Sequence, residues 1–306
     1  MRGRLSVWGG MAVSGATMVP VLAGMAAAAA DYDALILDLW GVVHDGIAAY
    51  PGVRDCLARL RAAEKRVVIL SNAPRRAHHA VERLRHMGIG DGLYERIITS
   101  GDATRQALGA RSEPGYAALG ASYFFLGKEA DADLLDGLDY RRATALEEAD
   151  FLLVTGPAAE STQPADYEAL LRRAVGLGLL MVCANPDLAV IRGGQREPCA
   201  GAFAERYAEL GGAVHAHGKP HPEVFDLCLE ALGGVARERV LVVGDGLKTD
   251  IAGAHAAGLD SLLVTGGLLA HAWGVPSEAP PDPARLAAAC SEAGVTPAAA
   301  IATFTW

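Results

Sequence analysis

Basic charge is scarce in this sequence: 27 Lys and Arg stand against 36 Asp and Glu, a formal net charge of −9. A phosphate backbone needs a basic face, so this balance argues against nucleic acid as the main partner. Cysteine is also sparse. Cys56, Cys183, Cys199, Cys228 and Cys290 lie far apart with no C-x-x-C pair, an odd, scattered count that fits a reducing compartment and buried thiols better than a disulfide framework. Beyond residue 30 no apolar run reaches the length of a membrane span, because Gly, Pro and charges interrupt each one. Aromatics are only 6%, yet Val, Leu and Ile are abundant and charged residues make up 21%. That composition describes a folded chain rather than a disordered one.

What is present is enough chain for a sizeable core. At roughly 150 residues per domain, 306 residues suggest two domains. The one long uncharged run, residues 11–30, follows Arg2 and Arg4 and supports three readings: a soluble Ala-rich helix starting near Pro20, a secretory signal, or a weakly apolar anchor. The Ala, Gly and Pro20 content favours the helix.

From residue 31 short apolar strands alternate with helical patterns. Strands are predicted at 34–38, 66–70, 96–99, 240–243 and 261–264, with helices at 52–64, 75–87, 222–232 and 250–257. This alternation implies βαβ units and a parallel sheet covered on both faces. Between the two halves lies a second α/β unit, with strands at 123–126, 151–154 and 179–183 and helices near 131–137 and 164–177. Arg192-Gly193-Gly194-Gln195 reads as a hairpin turn, and a Pro-rich stretch leads into a last helix at 283–293.

Four segments follow apolar strands, at the edge where open α/β sheets bind ligands. They are Asp38-Leu39-Trp40-Gly41-Val42, Ser71-Asn72, Lys219-Pro220 and the run Gly244 to Asp250. A strand-end acid followed by Gly projects a carboxylate that can act as nucleophile or metal ligand. Asp245 could share a hard cation with Asp38, since one or two carboxylates plus substrate phosphate is a common Mg²⁺ arrangement. Ser71 offers a hydroxyl and nearby N–H groups to a phosphate oxygen, and Lys219 a point charge against the clustered negative charge. Each is weak alone, because strand-end acids often cap helices and Gly-Lys-Pro often turns.

In order, the four segments resemble the haloacid dehalogenase (HAD) superfamily, in its class IIA branch. The resemblance rests on LILDLWGVVHDG (35–46), VVILSNAPR (67–75), ANPD (184–187), GKPHPEVF (218–225) and VLVVGDGLKTDIAGAHAAGL (240–259), and is nearest to sugar-phosphatase-like proteins with a D-x-W-G-V first motif. It implies a Rossmann-like parallel-sheet core with an inserted α/β cap of C2 type: a lead-in at 1–30, core at 31–115, cap at 116–198, core again at 199–306. It also implies a Mg²⁺-dependent phosphatase of the cytoplasm acting on a small phosphorylated metabolite, with no membrane partner and with a homodimer left open. By resemblance Asp38 is the nucleophile and Lys219 its stabilising cation. Ser71 and Asn72 hold phosphoryl oxygens, and Asp38, Asp245, Asp250 and the Trp40 carbonyl hold Mg²⁺. Asn185 and Asp187, at the end of the last cap strand, either face substrate or form an Asx-type turn.

Trp40 departs from the family pattern. Phosphatases of this superfamily carry there a second Asp, acid for the leaving alcohol and base for water, and an indole can be neither. Losing such help costs about 10²–10⁴ in rate. Slow turnover or good leaving groups, replacement of the acid by His44 or Asp45, a binding protein without turnover, and dehalogenase-like chemistry all remain open. His215, His217 and His221 do not have zinc-site spacing, Cys199 lacks triad partners, and Arg75 and Arg76 stand beside the phosphate loop as a solvated face or a substrate contact.

Overall fold

The computed structural model describes residues 12–13, 16–112, 114–160 and 162–306. Its centre is a six-stranded, wholly parallel sheet in the order Ala299–Ile301, Asp260–Val264, Val240–Gly244, Ala34–Leu37, Arg66–Ser71, Arg96–Thr99. The strands alternate faces with period two. Leu35, Leu37, Val67 and Ile69 point into one core, which Val53, Cys56, Leu57 and Leu60 of the helix Val53–Ala62 complete at helical spacing. Ala34, Ile36, Val68 and Leu70 point into the other, against Val224, Phe225 and Cys228 of the helix Pro222–Ala231. Burial on both faces explains why these strands read as continuous apolar runs. Strand order reverses beside Ala34–Leu37, so its carboxyl end and that of Val240–Gly244 border a crevice at the switch point.

A second parallel sheet has the order Val214–Ala216, Leu180–Cys183, Phe151–Val154, Ser122–Leu126, Arg141–Arg142. Leu171 and Ala174 of Glu168–Gly176, with Phe203 and Tyr207 of Ala200–Glu209, fill one face. Tyr116, Leu134 and Leu135 fill the other. Ala189–Arg192 and Gln195–Pro198 form an antiparallel hairpin, turning through Gly193 and Gly194, both with positive φ (51° and 80°). The strand Val214–Ala216, C-terminal to residue 198, belongs to this second sheet.

Several elements lie where no pattern pointed: the helices Ser100–Ala110 and Ala200–Glu209 and the strands Val214–Ala216 and Ala299–Ile301. The segment after residue 17 also differs from the expected helix near Pro20. Pro20 and Leu22 exchange backbone hydrogen bonds with Ala300 at 2.8 Å, and Val21 bridges Ala300 in parallel. Only Ala26–Ala29 is helical. The alternative readings of residues 11–30 as signal or anchor fall partly on residues 1–11 and 14–15, outside the described residues. Among the described residues no helix is long and apolar enough to cross a membrane.

Candidate active site

The strand Ala34–Leu37 stops at Asp38, whose N–H donates to the Val243 carbonyl of the neighbouring strand at 2.9 Å. That bond carries the sheet one residue further and fixes where the Asp38 carboxylate begins. Asp245 directly follows the adjacent strand, and Asp250 sits one helical turn beyond it. Carboxylate oxygens of Asp38, Asp245 and Asp250 lie within 4.8 Å of one another, and all three residues are buried. The Lys219 ammonium is buried between two of them, hydrogen-bonded to Asp38 Oδ1 and, at 2.7 Å, to Asp250 Oδ1.

Backbone N–H groups hold two of the three acids. Asp245 Oδ2 accepts from the Leu268 N–H at 2.9 Å. Asp250 Oδ2 accepts from the Gly246 N–H at 3.1 Å. Two glycines make room for Asp245: a Cβ on Gly41 or on Gly267 would fall 2.0 Å from its Oδ2. Gly41 also has φ +82°, a conformation that disfavours any side chain.

Electrostatics set this cluster apart from an ordinary ion pair. Burial pushes Asp38 up to about 7, against the pull of Lys219 and with the repulsion of Asp250 adding to it. Burial, then Asp38 and Asp250, push Asp245 well above the usual carboxylate range. Burial acts to lower Lys219, but Asp250, Asp38 and Asp187 outweigh it and raise the ammonium. Like charges crowded in a low dielectric are costly unless a cation joins them. Clustered buried carboxylate oxygens facing one ammonium fit a hard divalent ion, and the oxygen-only donor set suits Mg²⁺.

The remaining predicted residues also meet here. Ser71, Asn72, Trp40, Asn185 and Asp187 line the same cavity as Asp38 and Lys219, a space of about 450 Å³ between the two sheets' loops. Ser71 Oγ accepts from the Ala73 N–H at 3.2 Å, opening a tight turn. The Asn72 side chain is occupied: Oδ1 accepts from the Lys219 N–H at 2.7 Å, and Nδ2 donates to the Lys219 carbonyl at 3.1 Å and Asp187 Oδ1 at 2.8 Å. It therefore positions the Lys219 loop and ties it to Asp187. Asn185 Oδ1 accepts from the Asp187 N–H at 2.9 Å, an Asx-type turn. Burial raises the Asp187 carboxyl, against Lys219.

Trp40 faces the inserted unit. Its indole N–H donates to the Ile191 carbonyl of the hairpin at 2.8 Å, and the Arg192 guanidinium lies 4.8 Å from its ring centroid. His44 packs edge-on to Trp40 and its Nδ1 accepts from the Gly46 N–H at 3.0 Å, so Nε2 carries the proton of the neutral ring. Burial, with Arg83 beside it, lowers His44 to about 4. Asp45 accepts from the Ile47 and Ala48 N–H groups at 2.8 Å each, as a turn residue does. Arg75 pairs with Asp131 of the inserted unit. Cys199 is buried, and burial raises its thiol. His217 Nε2 shares a hydrogen bond with the Tyr116 hydroxyl.

Sequence reasoning missed the roles of Gly267, Arg83 and Arg192. Gly267 precedes a helix with no motif around it, and the two arginines look like ordinary surface residues until the chain folds.

Residues 35–141 match the family described as haloacid dehalogenase-like hydrolase, and residues 216–290 the family described as HAD-hydrolase-like. A haloacid dehalogenase-like hydrolase from Brucella suis superposes with a TM-score of 0.76 at 34% identity, covering 82% of this chain and 91% of that one. D-glycerol 3-phosphate phosphatase of Mycobacterium tuberculosis is 31% identical over 247 residues, covering 80% of this chain; the chain spans 66% of that relative's length. Glycerol phosphate phosphatase of the same organism, solved with magnesium, superposes with a TM-score of 0.61 at 27% identity, covering 78% of this chain and 69% of that one. The two family matches, a shared fold and identity above 30% along nearly a whole solved relative leave one conclusion: the chain belongs to the haloacid dehalogenase-like hydrolases.

Proposed function

We propose that this protein is a Mg²⁺-dependent phosphatase acting on a small phosphorylated metabolite, a sugar or glycerol phosphate in class, with Asp38 as its nucleophile. The observation that carries the reading is the buried trio of Asp38, Asp245 and Asp250 around the Lys219 ammonium. The phosphatase names of the relatives support the same reaction class.

Phosphoryl transfer is chiefly positioning and charge neutralisation. An Asp38 carboxylate oxygen forms the new bond to phosphorus as the bond to the leaving alkoxide breaks, giving an aspartyl-phosphate. Water then displaces the Asp38 carboxylate, releasing phosphate and a proton and restoring the acid. Lys219 offsets charge on Asp38 and on the phosphoryl oxygens. Ser71 and the N–H groups of its turn receive a phosphoryl oxygen, while Asn72 keeps Lys219 in register through its two bonds to that residue's backbone. Asp38, Asp245, Asp250 and the Trp40 carbonyl would hold Mg²⁺, which supplies Lewis-acid neutralisation of the phosphoryl charge. Asn185 and Asp187 shape the cavity wall where the inserted unit, a cap over the core, meets it.

A second reading, a phosphate-ligand binder without turnover, is favoured by one observation: the Trp40 N–H is spent on Ile191 and no carboxyl stands in its place. Phosphate release across sugar, glycerol and aryl phosphates with Mg²⁺ separates the two. Turnover establishes the phosphatase; Mg²⁺-dependent binding with no turnover, converted to turnover by Trp40→Asp, establishes the binder.

A further inference from the structure

The cavity that holds Asp38 has a second wall, built by the helix Ala77–His86, the residue before it and the turn after Trp40. This wall is cationic in a protein of net charge −9. Arg75, Arg76, Arg83 and Arg192 all line the cavity. Two of these are already neutralised: Arg75 pairs with Asp131, and Arg192 with Glu197 at 3.0 Å. Among the described residues, Arg76 and Arg83 have no carboxylate partner. Arg83 reaches only the Gly46 carbonyl, at 3.3 Å. Arg76 Nε is buried with no hydrogen-bond partner at all. Arg76 caps the start of the helix Ala77–His86 in an extended conformation, and Arg83 lies within that helix.

The other carboxylates on this part of the cavity are committed. Asp45 accepts two backbone N–H groups, and Asp187 accepts from Asn72. Burial and the proximity of Arg192 and Arg75 lower Arg83 from its ordinary value. Arg83 is thus a half-buried guanidinium among other cations with no carboxylate of its own, an imbalance opposite in sign to that of the carboxylate trio at the strand ends. An anion is what removes that imbalance, and planar donors suit carboxylate or phosphate oxygens.

We propose that Arg76 and Arg83 form a second anion subsite, so that the substrate carries, besides the phosphate to be cleaved, a carboxylate or a further phosphate. This rests on the phosphatase reading for the first group but on separate residues for the second.

The test compares matched pairs with Mg²⁺: 3-phosphoglycerate against glycerol 3-phosphate, and fructose 1,6-bisphosphate against fructose 6-phosphate. The wild-type protein should favour one or both doubly anionic members by about 10- to 100-fold in kcat/KM, the range of a charge-assisted bond lost in a half-buried site. The carboxylate pair and the bisphosphate pair show which anion is preferred. That preference should collapse in Arg83→Gln and in Arg76→Gln, with folding checked by circular dichroism. Equal turnover of both members by wild type, or equal loss on both members in the variants, overturns the subsite and leaves the phosphatase standing. If nothing is hydrolysed, titration calorimetry of the same compounds with Mg²⁺ decides. Tighter binding of the doubly anionic members, lost in Arg83→Gln, supports the subsite while refuting turnover; no such difference overturns the subsite as well.

Discussion

The indole N–H of Trp40 donates to the carbonyl of Ile191 at 2.8 Å, joining residues 151 positions apart. In this chain the side chain two residues after Asp38 is turned toward the hairpin Ala189–Pro198, as a latch on it. Arg192 over the ring closes the same contact.

Trp40→Phe keeps a ring for Arg192 to cover but removes the N–H. The Ile191 carbonyl then loses a half-buried donor, a change of about 0.5–1.5 kcal/mol. Amide hydrogen exchange at residues 189–198 should quicken by roughly tenfold, while the central strands Ala34–Leu37 and Val240–Gly244 keep their protection. Unchanged hairpin exchange would show that the latch carries no weight.

Mg²⁺ should stabilise the protein, because it relieves repulsion among Asp38, Asp245 and Asp250 that burial makes costly. At one hundred times its dissociation constant the gain is about 2.7 kcal/mol, seen as a rise in Tm. Asp245→Asn should abolish that rise while leaving the metal-free protein as stable as wild type or more so, since it removes a strained charge. Gly41→Ala should lose it too, because its Cβ would displace the Asp245 carboxylate. A Tm rise of wild-type size in Asp245→Asn would remove Asp245 from the metal site.

His217 gives a pH dependence of known sign. Burial, then His221 and His215, lower it from 6.5 to about 4, so it stays neutral in the fold while the unfolded chain takes up a proton. Its contribution to stability is therefore undiminished above about 6.5 and is lost as pH falls toward 4. Urea unfolding of wild type and His217→Gln, near neutral pH and again near pH 5, should show the larger acid loss in wild type. Gln can still bond the Tyr116 hydroxyl but cannot take up a proton there. Equal losses would mean that His217 is not held neutral.

Much of the core was readable in the chain because doubly buried strands leave unbroken apolar runs, as in Ala34–Leu37 and Val240–Gly244. The strand-end positions of Asp38, Ser71 and Asp245 followed from those runs. The helix Ser100–Ala110 was harder to read: its start signal, Thr99 accepting from the Asp102 N–H at 2.9 Å, lies directly against the strand Arg96–Thr99 with no loop between. Val214–Ala216 and Ala299–Ile301 are three-residue edge strands, too short to show a period. The Asn72 to Asp187 bond and the arginine wall join residues distant in sequence, and no local pattern encodes a contact made only by folding. Trp40 was legible as a departure, but its purpose needed the hairpin beside it.

The most direct test of the account is phosphate release from an aryl phosphate with Mg²⁺, wild type against Asp38→Asn. An aryl leaving group needs little protonation, so the absence of an acid at Trp40 does not mask the chemistry. The account predicts release by wild type and a loss of at least about a thousandfold in the variant, as expected when a nucleophile is removed. Release by Asp38→Asn at the wild-type rate would contradict it.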